Sequence, residues 1–256
     1  MDYIEAARAD GNLKVLGISE HAPVHGDYYY FNMKYSDLDA YTKAVKEAKE
    51  DVKDIKVFLG TECDFEKEHL SYYKEEFLGR CGFDYLLCSV HMFRDRAGEI
   101  QSVSRSKDFL PFLRDYVDNY TTALSSGMFL FGCHPDLYFA SLKNWGPDVQ
   151  AASKDIISCA IDNHVPLEIN GAGRRKAAIE TAIGMRQPYS VEEFYIMAKD
   201  MGCMICCNSD AHKPNLVHGQ KVEGHLNECY EMADRLGIEF VDWEIGDDGK
   251  IRPVSK

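Results

Sequence analysis

A single α/β domain built as a (β/α) barrel is what this 256-residue sequence predicts. Three observations lead there. Helical and strand patterns alternate along the chain, the strands are continuous apolar runs, and almost every strand runs out into a histidine, carboxylate or amide. Alternation and apolar continuity mark a parallel sheet covered by helices. Seven such strands over this length suit a barrel better than an open sheet, and barrel strands gather their carboxyl ends at one face, where active sites lie.

The elements follow in order. Residues 2–11 have a helical pattern that stops at Gly11, a residue type suited to a helix end. Lys14 to Ile18 is a short apolar strand. Ser36 to Asp51 is helical, with Ser36 as N-cap and Leu38, Tyr41, Val45 and Ala48 at helical spacing. Lys56 to Thr61 and Asp84 to Val90 are strands. Lys107 to Ser126 is helical with an interruption near Pro111. Met128 to Cys133 is a strand, Asp148 to Asn163 a helix, and Pro166 to Ile169 a strand. Ser190 to Met201 is a helix in which Ser190 and Glu193 make a capping-box pattern. Cys203 to Cys207 is a strand, Lys221 to Leu236 a helix, and Ile238 to Val241 the last strand. The tyrosine-rich stretch 22–35 and the stretch 93–107 read as loops over one end of the barrel. No repeat, linker or low-complexity tract divides the chain, so residues 1–256 form one domain.

Composition narrows the function. The formal net charge of -13 repels nucleic-acid backbones and argues against a nucleic-acid partner. A small anionic substrate stays compatible, because bound metal ions reverse the charge locally. Nine cysteines without a framework pattern indicate free thiols in a reducing cytoplasm. The Cys203–Cys206 pair lies in an apolar run, where cysteine serves as a small hydrophobe. No stretch approaches the roughly 18 apolar residues of a membrane helix, and the opening Met1-Asp2-Tyr3-Ile4-Glu5 lacks the basic and apolar regions of a signal peptide.

The strand ends carry the chemistry. They deliver His21, Glu62, His91, His134, Asn170, Asp210 and His212. Imidazole and carboxylate together suit zinc, manganese or iron rather than an all-oxygen calcium or magnesium site. Asp210 and His212 stand two apart and share a side if strand geometry persists. Glu62 can bridge two ions through its two oxygens, and paired metals about 4 Å apart suit attack on a phosphate ester. The segment Asn170-Gly171-Ala172-Gly173-Arg174-Arg175-Lys176 is glycine-rich and basic, so its backbone and its arginine forks can approach a phosphate. His25, His69, His164, His218 and His225 lack the strand-end phase and read as ordinary, with His25 the nearest to the site.

The words Gly17-Ile18-Ser19-Glu20-His21, Gly60-Thr61-Glu62, Ser89-Val90-His91, His134-Pro135-Asp136-Leu137, Glu168-Ile169-Asn170 and Ser209-Asp210-Ala211-His212 resemble the PHP superfamily, most closely its histidinol-phosphate phosphatases. The resemblance implies a distorted seven-stranded barrel with up to three divalent metals. It implies that Glu62 bridges the first and second metals and that His91 and His134 complete the second. Asp210 would bind the first metal, and His21 and His212 the third. Arg175 and Asn170 would contact a substrate phosphate ester. The implied reaction is hydrolysis of L-histidinol phosphate in histidine biosynthesis; the alternatives are a non-catalytic metal-binding relative and a phosphoesterase for another small ester. The family pattern opens with a strand bearing His-x-His and a further histidine, ligands to the first and third metals. Here Met1-Asp2-Tyr3-Ile4 looks like the helix after that strand. The expectation is therefore a barrel lacking its first strand, with two open sheet edges and fewer than three metals. Two explanations stand: a start that lies further upstream, or a reduced relative.

Overall fold

The computed structural model describes residues 1–11, 13–24, 29–103, 109–140, 142–181, 184–216 and 225–254. Helix α1 (Asp2–Asp10) ends at Gly11 in the left-handed conformation and leads to β1 (Val15–His21). Helix α2 (Leu38–Asp51) precedes β2 (Lys56–Asp64). Helix α3 (Leu70–Tyr72) continues as a π-helix over Tyr73–Arg80 and delivers β3 (Tyr85–Ser89). A small hairpin, β4 (Met92–Arg94) and β5 (Ile100–Ser102), follows. Then come α4 (Phe109–Leu124), β6 (Phe129–Gly132), α5 (Pro147–Asp162), β7 (Leu167–Asn170) and the single turn α6 (Gly171–Arg174). A second hairpin, β8 (Ile179–Thr181) and β9 (Gly184–Arg186), precedes α7 (Glu192–Asp200), β10 (Ile205–Asn208) and α8 (His225–Leu236). The chain closes on hairpin β11 (Asp242–Ile245) and β12 (Ile251–Val254).

Six strands form one parallel sheet in the order β1-β2-β3-β6-β7-β10. The sheet curls, so that its two edges, β1 and β10, line one shared cleft of about 400 Å³. Side chains alternate between the faces of each strand. Phe58, Tyr85, Leu87, Phe131, Cys133 and Cys206 fill the concave side, and the last hairpin plugs its amino-terminal end through Trp243, whose ring stands 5.8 Å from Phe131. A larger core, including Phe77, Tyr116, Tyr120, Ile156, Ile157 and Phe194, fills the space between the convex side and the helices. This is the distorted barrel the sequence predicts, open between β1 and β10. Among the described residues no helix is long and apolar enough to cross a membrane.

Several element expectations are corrected. Ser36 does not cap α2; it lies in a 3-10 turn over Tyr35–Asp37, with its hydroxyl donating to Asp37. Pro111 does not interrupt α4, because it sits in the first turn, where the missing N–H costs nothing. Ser190 is not a capping-box residue: it adopts φ +55°, and its hydroxyl exchanges hydrogen bonds with the backbone of Asn170. Ile238 to Val241 is not the last strand. Val241 makes one bond to Ile205 of β10, and the strand follows at Asp242. The stretch 93–107 contains a hairpin. Residues 221–224 and both His25 and His218 lie outside the described residues.

Candidate metal centre

Strand register assembles the site. In the β1–β2 ladder His21 stands directly opposite Glu62. Both side chains point to the concave side at the strand carboxyl ends. His91 follows β3, and His134 follows β6 in the left-handed conformation at φ +30°. Asp210, just past β10, has φ +47°. Non-glycine residues rarely adopt that conformation and concentrate at functional sites when they do.

Glu62 is the hub. Its Oε1 lies 3.0 Å from His134 Nε2 and 4.0 Å from His91 Nδ1, while Oε2 lies 3.8 Å from His21 Nδ1. One oxygen therefore faces two imidazoles and the other faces a third, the division a bridging carboxylate needs. The His91 and His134 rings stand 4.5 Å apart between centroids. Burial alone would raise the Glu62 carboxyl, but His21, His134 and His91 together hold it well below the usual carboxylate range.

Glu62, His91 and His134 bring one ligand atom each within 4.8 Å of one another, and His21, Asp64 and His91 do the same. Ring nitrogens Nδ1 of His21 and His134, and Oδ2 of Asp64, are buried and have no hydrogen-bond partner among the described residues. Orphaned buried polar atoms are costly unless something satisfies them. Ligands about 2.0–2.2 Å from a tetrahedral zinc stand a little over 3 Å apart, close to the Glu62–His134 spacing. The residues present thus fit a divalent transition metal.

Asp64 was not singled out by sequence reasoning, although it stands two after Glu62 on the same strand. Its Oδ1 accepts the backbone N–H of His91 at 2.6 Å and faces His91 Nδ1 at 3.1 Å. Burial opposes a charge on His91, but Asp64, with Glu62 and Asp210 behind it, raises the imidazole to about 9. Glu168 was also missed. Burial, reinforced by Asp210, raises its carboxyl to about 8, and it accepts the backbone N–H of His134. Asn170 donates to both Glu168 and Asp210, at 2.9 and 3.1 Å, while its oxygen accepts from Gly173 N. Its amide thus links two carboxylates.

Asp210 and His212 flank the trio without joining it. The His212 side chain is 63% exposed, its Nδ1 is 3.0 Å from the Asp210 carbonyl oxygen, and its ring is 6.2 Å from that of His21. Arg175 pairs with Glu228 of α8 at 3.2 Å, and Arg174 donates to the carbonyl of Ser190.

A family model for the PHP domain matches residues 1–172. The chain belongs to the PHP domain family. No curated protein matches it significantly. Among solved structures, this PHP chain is similar to the crystal structure of histidinol phosphate phosphatase (HISK) from Lactococcus lactis subsp. lactis Il1403 complexed with zinc, L-histidinol and phosphate. The two share a TM-score of 0.67 at 17% identity over 98% of this chain and 91% of that one. At that identity the likeness is one of fold. The PHP match covers His21, Glu62, Asp64, His91, His134 and Asn170, while Arg175, Asp210 and His212 lie past its end.

Proposed function

We propose that this PHP chain is a metal-dependent phosphomonoesterase whose substrate is L-histidinol phosphate, hydrolysed to L-histidinol and phosphate in cytoplasmic histidine biosynthesis. The observation that carries the reading is the convergence of Glu62, His91 and His134 around a two-faced carboxylate at the barrel mouth. The zinc, L-histidinol and phosphate bound by the similar structure support the metal and substrate class. The nine free cysteines support a reducing compartment.

A bound zinc, manganese or iron ion would supply Lewis acidity toward a phosphoryl oxygen and lower the pKa of water. The chain's own residues do the rest. Glu62, His91 and His134 hold the ion, and Asp64 fixes the His91 ring. Asn170 keeps Asp210 beside Glu168. Arg175 offers a planar fork to the phosphate once it leaves Glu228.

Chain loaded with manganese or zinc is assayed on L-histidinol phosphate and on sugar and nucleotide monophosphates. Preference for histidinol phosphate supports the proposal, and Arg175→Ala raises its KM far more than Arg174→Ala. Preferential hydrolysis of another ester keeps the phosphoesterase and rejects the histidine-pathway substrate. One observation favours the second reading, a non-catalytic metal-binding relative: the two ligand trios among the described residues share His91, and His212 is turned out. Metal analysis after exhaustive dialysis is expected to return fewer than three equivalents. A loaded chain that hydrolyses no ester decides for the non-catalytic reading.

A further inference from the structure

His91 stands between two other imidazoles, its ring 4.5 Å from that of His134 and 5.3 Å from that of His21. Its Nδ1 faces two carboxylates at once, Asp64 Oδ1 at 3.1 Å and Glu62 Oε1 at 4.0 Å. Two ligand trios therefore meet in this ring. The inner one is Glu62, His91 and His134, and the outer one is His21, Asp64 and His91. Each offers two imidazoles and one carboxylate, a donor set that suits zinc or ferrous iron.

The outer trio differs from the set that the family resemblance implies, which pairs His21 with His212. The His212 side chain is largely exposed and turned to its own backbone, whereas Asp64 is buried beside His91. Asp64 also has an oxygen to spare. Its Oδ1 accepts the backbone N–H of His91 at 2.6 Å. Its Oδ2 is buried with no hydrogen-bond partner among the described residues, and so is Nδ1 of His21. Leaving a carboxylate oxygen and a ring nitrogen buried without partners is costly, and a cation between them removes the cost. An Asp64 that only oriented His91 would need Oδ1 alone.

We propose that the two trios are alternative positions for a single ion, and that Asp64 is a metal ligand in the outer one. A ring nitrogen offers one lone pair and serves one ion. The same Nδ1 of His91 faces both carboxylates, so the two positions do not fill together. Glu62 spans them, with Oε1 3.0 Å from His134 Nε2 and Oε2 3.8 Å from His21 Nδ1, and stays beside the ion in either place. The inner position is the tighter, because water reaches His134 less than His21: their side chains are 3% and 18% exposed. The inference rests on the reading of the centre as a metal site and not on the substrate assigned to it.

The test reads zinc affinity by competition with a chromophoric chelator, with circular dichroism on every sample. The proteins are wild type, His91→Ala, His134→Ala, Asp64→Asn, His21→Ala, and the two double variants that join His134→Ala to Asp64→Asn or to His21→Ala. Wild type is expected to take up one tight zinc, which His91→Ala abolishes. His134→Ala alone should weaken zinc about 10–100-fold, no more than the loss of an outer partner, because the ion moves to the outer position. Asp64→Asn and His21→Ala alone should each cost less than about tenfold. Each double variant should lose at least about tenfold more than the product of its single losses, since neither position survives. A residue that only orients His91 gives losses that multiply. His21→Ala removes the outer position without touching Asp64, so it decides if Asp64→Asn unfolds. Anomalous diffraction from zinc-loaded His134→Ala crystals should place the ion among His21, Asp64 and His91. Two tight zinc ions in wild type, losses that multiply in the double variants, or zinc remaining away from Asp64 in His134→Ala overturns the inference. A chain that shows both positions yet hydrolyses no ester counts against the phosphatase reading and leaves the shared histidine established.

Discussion

Glu62 and His212 test the division of labour among the ligands. Glu62 serves imidazoles on two sides through its two oxygens, whereas His212 is largely exposed and turned toward its own backbone. Glu62→Gln keeps the shape and removes the charge. It should lower metal affinity by more than about 100-fold, beyond the 10–100-fold typical of losing an outer partner, while His212→Ala stays near or below about tenfold. Metal analysis of the two dialysed variants decides, and equal retention would remove the bridging role. Asp64 makes a pH prediction. In the metal-free chain His91 titrates at about 9 rather than 6.5. A raised folded pKa stabilises fully below about 6.5, and that stability is lost as pH rises through 9, on the order of 3 kcal/mol in all. Thermal melts of metal-free wild type should therefore decline from pH 6.5 to 9, and Asp64→Asn should flatten the decline. Parallel curves for the two proteins would show that Asp64 does not charge His91. Of the residues in the centre, His21, Glu62, His91 and His134 were legible because strand ends expose their types in phase. Asp64 and Glu168 were not, since a carboxylate that orients an imidazole or holds a backbone amide looks like an ordinary polar residue until register places it.

At the scale of elements, β1, β2 and β3 are tied together by one side chain. Tyr85 on β3 lies across Gly60 of β2 and Gly17 of β1, and its hydroxyl meets Ser19 Oγ at 2.6 Å. A methyl at either glycine would land on the ring or its hydroxyl. Gly60→Ala should cost about 1–3 kcal/mol through overpacking, seen as a fall in Tm of roughly 3–10 °C. An unchanged Tm would mean that the ring has room to move. The sequence showed where most helices and strands lie because their apolar periods are long and unbroken. It misled where a distant group replaces a local one. The start of α7 looked like a capping box, yet its N-cap residue is Val191, whose N–H donates at 2.7 Å to the carboxylate of Asp136 from another strand end. Burial, opposed by that amide, pushes the Asp136 carboxyl up. The last hairpin carried a readable turn in Gly246-Asp247-Asp248-Gly249, with Gly249 at φ +76°, and it was overlooked because the run before it, Ile238 to Val241, is the more apolar.

For the whole molecule, the order of the parallel sheet fixes which strands are guarded. Among the described residues, strands β2, β3, β6 and β7 have ladder neighbours on both sides, whereas β1 pairs only with β2, and β10 pairs with β7 and adds a single bond from Val241 N–H to Ile205. Outward-facing amides of an edge strand have no ladder partner and open without disturbing the rest. Amide hydrogen exchange should therefore run as a gradient around the barrel, slowest at β2 and β3 and fastest at β1 and β10, although both edges lead to the same metal-ligand cluster. Mass spectrometry of the peptides covering residues 15–21, 56–64, 85–89 and 205–208 would trace it. Exchange in 15–21 as slow as in 56–64 would mean that something covers the edge in solution. With the gradient present, His21 and Asp210 hang on the two strands that breathe most, while Glu62, His91 and His134 stand on the part that stays shut. Metal held by the trio should then outlast fluctuations that scatter the flanking residues.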